Sequence, residues 1–192
     1  MRTPSLRTSA LLLGTAWSLA ATAAAAQAAR YELVPAQSRV WFDASATMGR
    51  FQGVAQQVSG WADVSDSVTY GGTRGQIDVG AGSFRTGVAL RNQHLRNEME
   101  VERHPFVRFV LEGAAPGDAG VLVLRGRLVV KDHSTPVTIR ARTTRADGEV
   151  ALDGELPTKF TELGMRPPTR MGGLTRVRDD FVIHFHAVFR RK

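Results

Sequence analysis

Five histidines are the side chains of this sequence best suited to bind a metal or to act as general bases: His94, His104, His133, His184 and His186. His184 and His186 are one residue apart, so on a β-strand both rings project from the same face, a spacing found in zinc and copper sites. The sequence offers no evident third ligand. Apolar residues alternate with this pair, and we therefore expect both rings on the outer surface, without a metal.

Motifs for covalent catalysis and nucleotide binding are absent from the sequence. The chain has no cysteine, which excludes thiolate nucleophiles, cysteine metal sites and disulfides. Ser83 lacks the flanking glycines of a G-x-S-x-G turn. Gly80 and Gly82 lack the third glycine of a dinucleotide-binding fingerprint, because residue 85 is arginine. These features predict a protein that is not an enzyme and has no catalytic cofactor.

The first 28 residues have the pattern of a secretory signal peptide. Two arginines precede an apolar stretch at residues 9–20, and small residues follow it, ending in an Ala-Gln-Ala triplet at 26–28. The apolar stretch is shorter than the roughly 20 residues of a membrane-spanning helix. We expect residues 1–28 to be removed, with cleavage within about two residues of position 28, and residues 29–192 to form one periplasmic or secreted domain.

The positive charge is dispersed along the chain. The formal net charge is +7, and it falls to +5 when the two arginines of the first 28 residues are removed. The remaining arginines are interleaved with acids, as at Arg176, Arg178, Asp179 and Asp180. Nucleic-acid-binding proteins usually gather such charges into one patch beside stacking aromatics. We therefore expect a solvated outer surface and no nucleic-acid partner, with an anionic membrane surface or ligand head group as the alternative use of the charge.

Alternation of apolar and polar residues dominates after residue 30 and predicts an almost all-β chain. Val40, Phe42 and Ala44, for example, lie on one face of the first strand, and Asp147-Gly148 is typical of a tight hairpin turn. The expected strands are residues 38–45, 54–64, 76–83, 107–111, 121–131, 137–142, 150–156 and 180–190. Because closure removes exposed edges, we predict an antiparallel β-barrel of about eight strands, wide enough to be filled by side chains or to hold one slender ligand.

Residues 88–100 are the one segment with helical character, and Pro105 limits any extension. Leu95 and Met99 are four residues apart and form a narrow apolar stripe on an otherwise polar helix. The stripe fits a surface helix and equally a helix that lines one end of the barrel, with Arg91 or Asn92 beside a polar head group.

Residues 159–178 are predicted to form a long loop, and loops of this length in a compact domain often act as lids or binding loops. The loop contains glycine and proline, together with four apolar side chains that suit such a role. These are Phe160, Leu163, Met165 and Met171.

Six segments between residues 31 and 189 resemble, in order, the YceI-like proteins, which are bacterial lipocalin-like barrels associated with polyisoprenoid binding. They are residues 31–42, Gly-Arg-Phe-Gln-Gly at 49–53, residues 83–86 with Arg-Asn-Gln-His-Leu-Arg at 91–96, His-Pro-Phe-Val-Arg-Phe at 104–109, residues 126–138, and Phe-Thr-Glu-Leu-Gly-Met at 160–165. The resemblance implies a lipocalin-like barrel with an apolar interior and a polyisoprenoid ligand.

The leading functional hypothesis is a carrier of an apolar isoprenoid, either a polyprenyl chain or an isoprenoid quinone. Each buried methylene contributes roughly 0.8 kcal/mol, so a long tail needs few polar contacts. The expected ligand-binding residues come from the apolar strand faces, the helix and the lid loop. They are Phe42, Val79, Arg91, Asn92, Leu95, Met99, Phe109, Leu128, Ile139, Phe160, Phe181, Ile183 and Phe185.

Two other functional classes stay open at this stage. One is an envelope stress or redox-associated protein whose barrel is filled by its own side chains and which contacts a membrane or a membrane protein. The other is an enzyme, such as a histidine-dependent hydrolase or isomerase. The native ligand, the pathway and the oligomeric state, including a homodimer, are not determined by the sequence.

Overall fold

The computed structural model describes residues 28–192 except 48, 67, 168 and 171–174. Over these residues it contains one α-helix, α1 (Ala89–Glu98), and three short 3-10 turns at Pro35–Gln37, Ala81–Ser83 and Thr161–Leu163. The strands are β1 (Ala29–Leu33), β2 (Arg39–Ala46), β3 (Gly49–Val54), β4 (Val58–Val64), β5 (Arg74–Gly80), β6 (Phe106–Pro116), β7 (Val121–Val130), β8 (His133–Ala146), β9 (Glu149–Lys159), β10 (Thr169–Arg170) and β11 (Thr175–Arg191).

The strands close into an antiparallel barrel with eight positions around its circumference. β1 and β2 together form one position, β3 and β4 together form the next, and β5, β6, β7, β8, β9 and β11 supply the other six. The last strand closes the ring, because β2 pairs with its first part and β1 with its last residues, as in Leu33↔Phe189. The predicted fold, a barrel of about eight strands with one main helix, is confirmed.

A corner between β1 and β2 lets one chain segment pair along the whole of the long β11. Pro35 begins a 3-10 turn there, since proline lacks the N–H that a continuous ladder requires. The Ser38 hydroxyl donates to the Val34 carbonyl at 2.8 Å and accepts from the Val188 amide at 3.0 Å. One side chain therefore ties the corner to β11.

A second break divides the segment at 54–64, which was wrongly expected to be one strand. β3 ends at Val54 and β4 begins at Val58. The amides of Gln56 and Gln57 both donate to the hydroxyl of Ser83 at 3.2 Å instead of continuing the ladder. Ser83 belongs to a 3-10 turn, so the strand predicted at 76–83 ends earlier, at Gly80.

The hairpin turns after β7 and β8 contain residues with a positive backbone φ angle. Asp147 and Gly148 both have positive φ, at 49° and 78°, as the predicted two-residue turn requires. The turn before β8 is at Lys131 and Asp132, with φ of 54° at Lys131. His133 is the first residue of β8, so this strand begins four residues before the predicted range of 137–142.

The helix lies across one end of the barrel, within the predicted range of residues 88–100. Met99 at its carboxyl end is buried, and Leu95 packs against the same apolar cluster. An ion pair of 2.5 Å joins Lys131, from the β7–β8 turn, to Glu100. This pair fixes the end of the helix to the barrel wall.

The described residues contain no helix that is both long and apolar enough to cross a membrane. The signal peptide predicted at residues 1–28 and Met171 of the predicted lid lie outside the described residues, apart from residue 28.

Candidate ligand-binding cavity

The barrel interior contains a cavity of about 580 Å³. Side chains from the inward-facing positions of the strands form its wall, together with the helix and the segment after β9. Eleven residues predicted from the sequence line it: Phe42, Val79, Leu95, Met99, Phe109, Leu128, Ile139, Phe160, Phe181, Ile183 and Phe185. The volume lies within the range of roughly 300–1,000 Å³ that is typical of ligand pockets.

Close approach of aromatic rings to glycines shapes this wall. Phe42 on β2 pairs with Gly53 on β3, and a Cβ added at Gly53 would lie 2.2 Å from the Phe42 ring. At Gly126 on β7, a Cβ would lie 2.2 Å from the Val110 carbonyl oxygen and 2.9 Å from the Phe109 ring. Because glycine has no side chain, each ring lies against the sheet and leaves the centre of the barrel free.

The cavity has two different ends, named here by the elements that surround them. The helix end is formed by α1 and by residues 160–165. The hairpin end is formed by the β4–β5 loop and by the β6–β7 and β8–β9 turns.

At the helix end, the segment after β9 is packed into the barrel. The ring of Phe160 stacks on Phe181 at 4.3 Å between centroids, and Leu163 is 2% exposed. Met165 is also buried, and its amide donates to the Phe160 carbonyl at 2.9 Å. The predicted lid therefore contributes a compact turn to the cavity wall, and β10 and β11 occupy residues 169–170 and 175–178 of the segment that was expected to be loop.

Asp179 holds this turn in place. Its carboxylate accepts hydrogen bonds from the Thr161 amide at 3.0 Å and the Thr161 hydroxyl at 2.7 Å. These bonds, chiefly that from the hydroxyl, keep the pKa of Asp179 below its ordinary value. The Thr135 hydroxyl on β8 donates to the Glu162 carbonyl at 2.8 Å, so the turn is attached to both sides of the helix end.

At the hairpin end, Tyr70 and Arg145 meet across the barrel. Tyr70 belongs to the β4–β5 loop, whereas Arg145 lies near the end of β8 on its inward face. The Arg145 guanidinium donates to the Tyr70 hydroxyl and lies 5.6 Å from the ring centroid. Because β5 and β8 are separated by β6 and β7 in the ring, this contact spans the hairpin end.

Asp66 organises the loop that carries Tyr70. Its side chain accepts hydrogen bonds from the Thr69 hydroxyl at 2.6 Å and the Val68 amide at 2.7 Å, and its carbonyl accepts from the Tyr70 amide at 2.9 Å. The hydroxyl bond is the largest reason why the pKa of Asp66 lies below its ordinary value. The ionised carboxylate thus supports the position of Tyr70.

Arg91 and Asn92, predicted to meet a head group, lie away from the cavity wall. The Arg91 guanidinium lies 4.3 Å from the centroid of the Phe51 ring and donates to the Thr86 carbonyl at 3.3 Å. The Asn92 carbonyl oxygen accepts from the amide of Thr86 at 2.8 Å and from its hydroxyl at 2.7 Å. In the structure both side chains hold the start of the helix to the segment before it.

His184 and His186 lie on the outer face of β11, as expected. His184 stacks on Trp41 at 5.2 Å and is 3.1 Å from Asp43, and His186 is 2.6 Å from Asp153. Among the described residues, no group of three histidines or carboxylates is arranged to hold a metal ion.

The polar residues of the hairpin end were not predicted from the sequence: they are Tyr70, Thr73 and Arg145. A signal for Arg145 was present, because it continues the inward register of Ile139 and Ala141 on β8. Tyr70 had no such signal, since it lies in a loop whose direction depends on the fold.

Comparison with known proteins identifies the class to which this barrel belongs. The family model of the YceI-like domain matches residues 31–189. The chain therefore belongs to the YceI-like family. A comparison with curated proteins found no match.

Three solved structures share the fold at low sequence identity. BcnA of Burkholderia cenocepacia is 19% identical with a TM-score of 0.72, over 81% of this chain and 98% of that one. A polyisoprenoid binding domain from Saccharophagus degradans, implicated in plant cell wall breakdown, is 12% identical with a TM-score of 0.64, over 84% and 98%. The Campylobacter jejuni YceI protein is 15% identical with a TM-score of 0.61, over 73% and 84%.

Proposed function

We propose that this protein is exported and holds the hydrocarbon chain of an isoprenoid lipid inside its barrel, without performing chemistry on it. The observation that carries the proposal is the apolar cavity of about 580 Å³. Apolar surface removed from water stabilises a complex by about 25 cal/mol per Å², so a chain that fills such a cavity needs few polar contacts.

The position of the polar groups supports binding rather than turnover. Phenylalanine, leucine, isoleucine, valine and methionine make up the wall through the middle of the barrel and at the helix end. The histidines of β11 face outward, away from a bound ligand. The family membership and the polyisoprenoid binding domain of similar fold favour an isoprenoid over other apolar molecules.

Export is proposed from the leader-like first 28 residues. A polyprenyl chain and an isoprenoid quinone both fit the proposal. The alternative of a partner-binding protein requires a barrel filled by its own side chains, and the cavity argues against it.

Analysis of lipids extracted from the purified protein tests this function. Leu128 is 7% exposed, lies on the cavity wall and pairs with Phe109. Leu128→Trp fills the cavity, whereas Val129→Trp places the same bulk on the outer face of β7. We expect organic extracts of the parent and of Val129→Trp to contain an isoprenoid by mass spectrometry, and extracts of folded Leu128→Trp to lack it.

Circular dichroism provides the folding control for both variants. If folded Leu128→Trp retains the same lipid at the same stoichiometry, the ligand lies elsewhere and the proposal fails. A parent protein that yields no isoprenoid and takes up none from detergent-solubilised lipid would also refute it.

A further inference from the structure

The polar residues on the cavity wall gather at its hairpin end. Tyr70, Thr73, Arg145 and Arg191 all line this part of the cavity. The helix end is closed instead by the apolar side chains of α1 and of the turn at residues 160–165. An amphiphile inside the barrel therefore meets its polar surroundings at the hairpin end.

A buried hydroxyl at this end has no partner of its own. Thr73 is 4% exposed, and its Oγ1 has no hydrogen-bond partner among the described residues. The same holds for Oγ1 of Thr143, which lies on the inward face of β8 two residues before Arg145. Both oxygens have almost no accessible surface, so these hydroxyls add polarity to this end of the barrel without contacting a ligand in the cavity.

The cavity wall at the hairpin end carries more unpaired positive side chains than negative ones. Within the described part of the chain, neither Arg145 nor Arg191 has a carboxylate at ion-pair distance. Glu149 on the same wall is held by Arg190 at 2.5 Å. Among the described residues that line the cavity, Asp147 is then the one carboxylate without a paired cation. Two unpaired arginines therefore stand against one unpaired carboxylate.

We propose that the head group of the ligand lies at the hairpin end and is a phosphate monoester, so that the ligand is a prenyl phosphate. This inference rests on the proposed function. The planar guanidinium of Arg145 matches phosphate oxygens, and the hydroxyl of Tyr70 donates to the same group. Arg145 is exposed, so the phosphate keeps part of its hydration while the chain occupies the apolar cavity.

Two ligands with the same tail and different heads test this inference. Farnesyl phosphate and farnesol are each used to displace a lipophilic fluorescent dye from the parent, from Arg145→Gln and from Arg142→Gln. Arg142 lies on the same strand and faces outward, so its variant makes the same charge change off the site. We expect the parent to prefer farnesyl phosphate by about tenfold or more.

The variants then locate the head group. We expect Arg145→Gln to lose the preference for phosphate while keeping its affinity for farnesol, and Arg142→Gln to behave like the parent. Arg145→Lys keeps the charge and should retain part of the preference for phosphate. This variant replaces Arg145→Gln in the test if circular dichroism shows that Arg145→Gln does not fold.

Other outcomes of the same displacement experiment would overturn either the head-group proposal or the carrier function. A preference that survives in Arg145→Gln and is lost in Arg91→Gln would move the head group to the helix end and overturn the proposal. Equal affinity of the parent for both ligands would also overturn it, while leaving the carrier function intact. A parent that binds neither ligand would overturn the carrier function itself.

Discussion

The ring of Phe185 on β11 occupies the space that a side chain at Gly154 on β9 would need. The two residues pair across the strands, and a Cβ added at Gly154 would lie 2.6 Å from Cζ of Phe185. A glycine opposite an inward aromatic residue therefore decides how far the ring projects into the cavity.

Gly154→Ala should reduce both the stability and the ligand capacity of the barrel. The added methyl group forces the Phe185 ring inward, and overpacking of this kind costs about 1–3 kcal/mol. Urea unfolding measures the loss, and lipid extraction measures the bound amount. Gly113→Ala is the control, because nothing lies within 4 Å of its added Cβ. Equal effects of the two changes would contradict this explanation.

Phe181→Ala should destabilise the helix end strongly. Phe181 is 7% exposed and stacks on Phe160. Removal of a buried aromatic ring costs about 3–5 kcal/mol through lost contacts and the space left behind. Urea unfolding of the lipid-free protein should show this loss. A bound lipid that fills the enlarged cavity should restore part of the lost free energy of unfolding. A loss below about 1 kcal/mol would show that the ring is not packed as described.

Asp179→Ala should loosen the turn that closes the helix end. The change removes both hydrogen bonds to Thr161 and leaves the barrel strands in place. We expect faster release of bound dye in stopped-flow exchange and earlier proteolytic cleavage near residues 160–165. Asp180→Ala, at an exposed neighbouring position, should release the dye at the parent rate. If both variants match the parent, this turn does not control ligand exchange.

Acidification should weaken the folded protein below about pH 4. The pKa values of Glu32, Asp66, Glu100 and Asp179 are lowered by hydrogen bonds, from Lys192, Thr69, Lys131 and Thr161 respectively. A group with a lowered pKa in the folded state stabilises it above the unfolded pKa, near 4, and loses that contribution as pH falls through the folded pKa.

Thermal melts between pH 2 and pH 7 check this dependence. The melting temperature should fall steeply on the acid side of about pH 4. The double variant Asp66→Asn, Asp179→Asn should melt at a lower temperature at pH 7 and show a shallower acid dependence than the parent. Parallel curves for the two proteins would exclude these carboxylates as the cause.

Much of the fold and most of the cavity wall could be predicted from sequence, because they depend on local periodicity. Val40 and Ala44 are buried on the inward face of β2, as the alternation of their strand indicated. The helix at Ala89–Glu98 and the turn at Asp147 and Gly148 followed from short-range residue preferences. Ten of the eleven predicted residues that line the cavity, all except Phe160, lie on strand or helix faces that this periodicity identifies.

The remaining features depend on contacts between residues that are distant in sequence. The break after Val54 depends on Ser83, whose hydroxyl binds amides 26 and 27 residues earlier. The hairpin end depends on Tyr70 and Arg145, which are 75 residues apart. Strand alternation determines only which side of a strand a residue faces. Closure of the ring determines which strands and loops lie opposite each other, and with that the end of the cavity at which the polar groups meet.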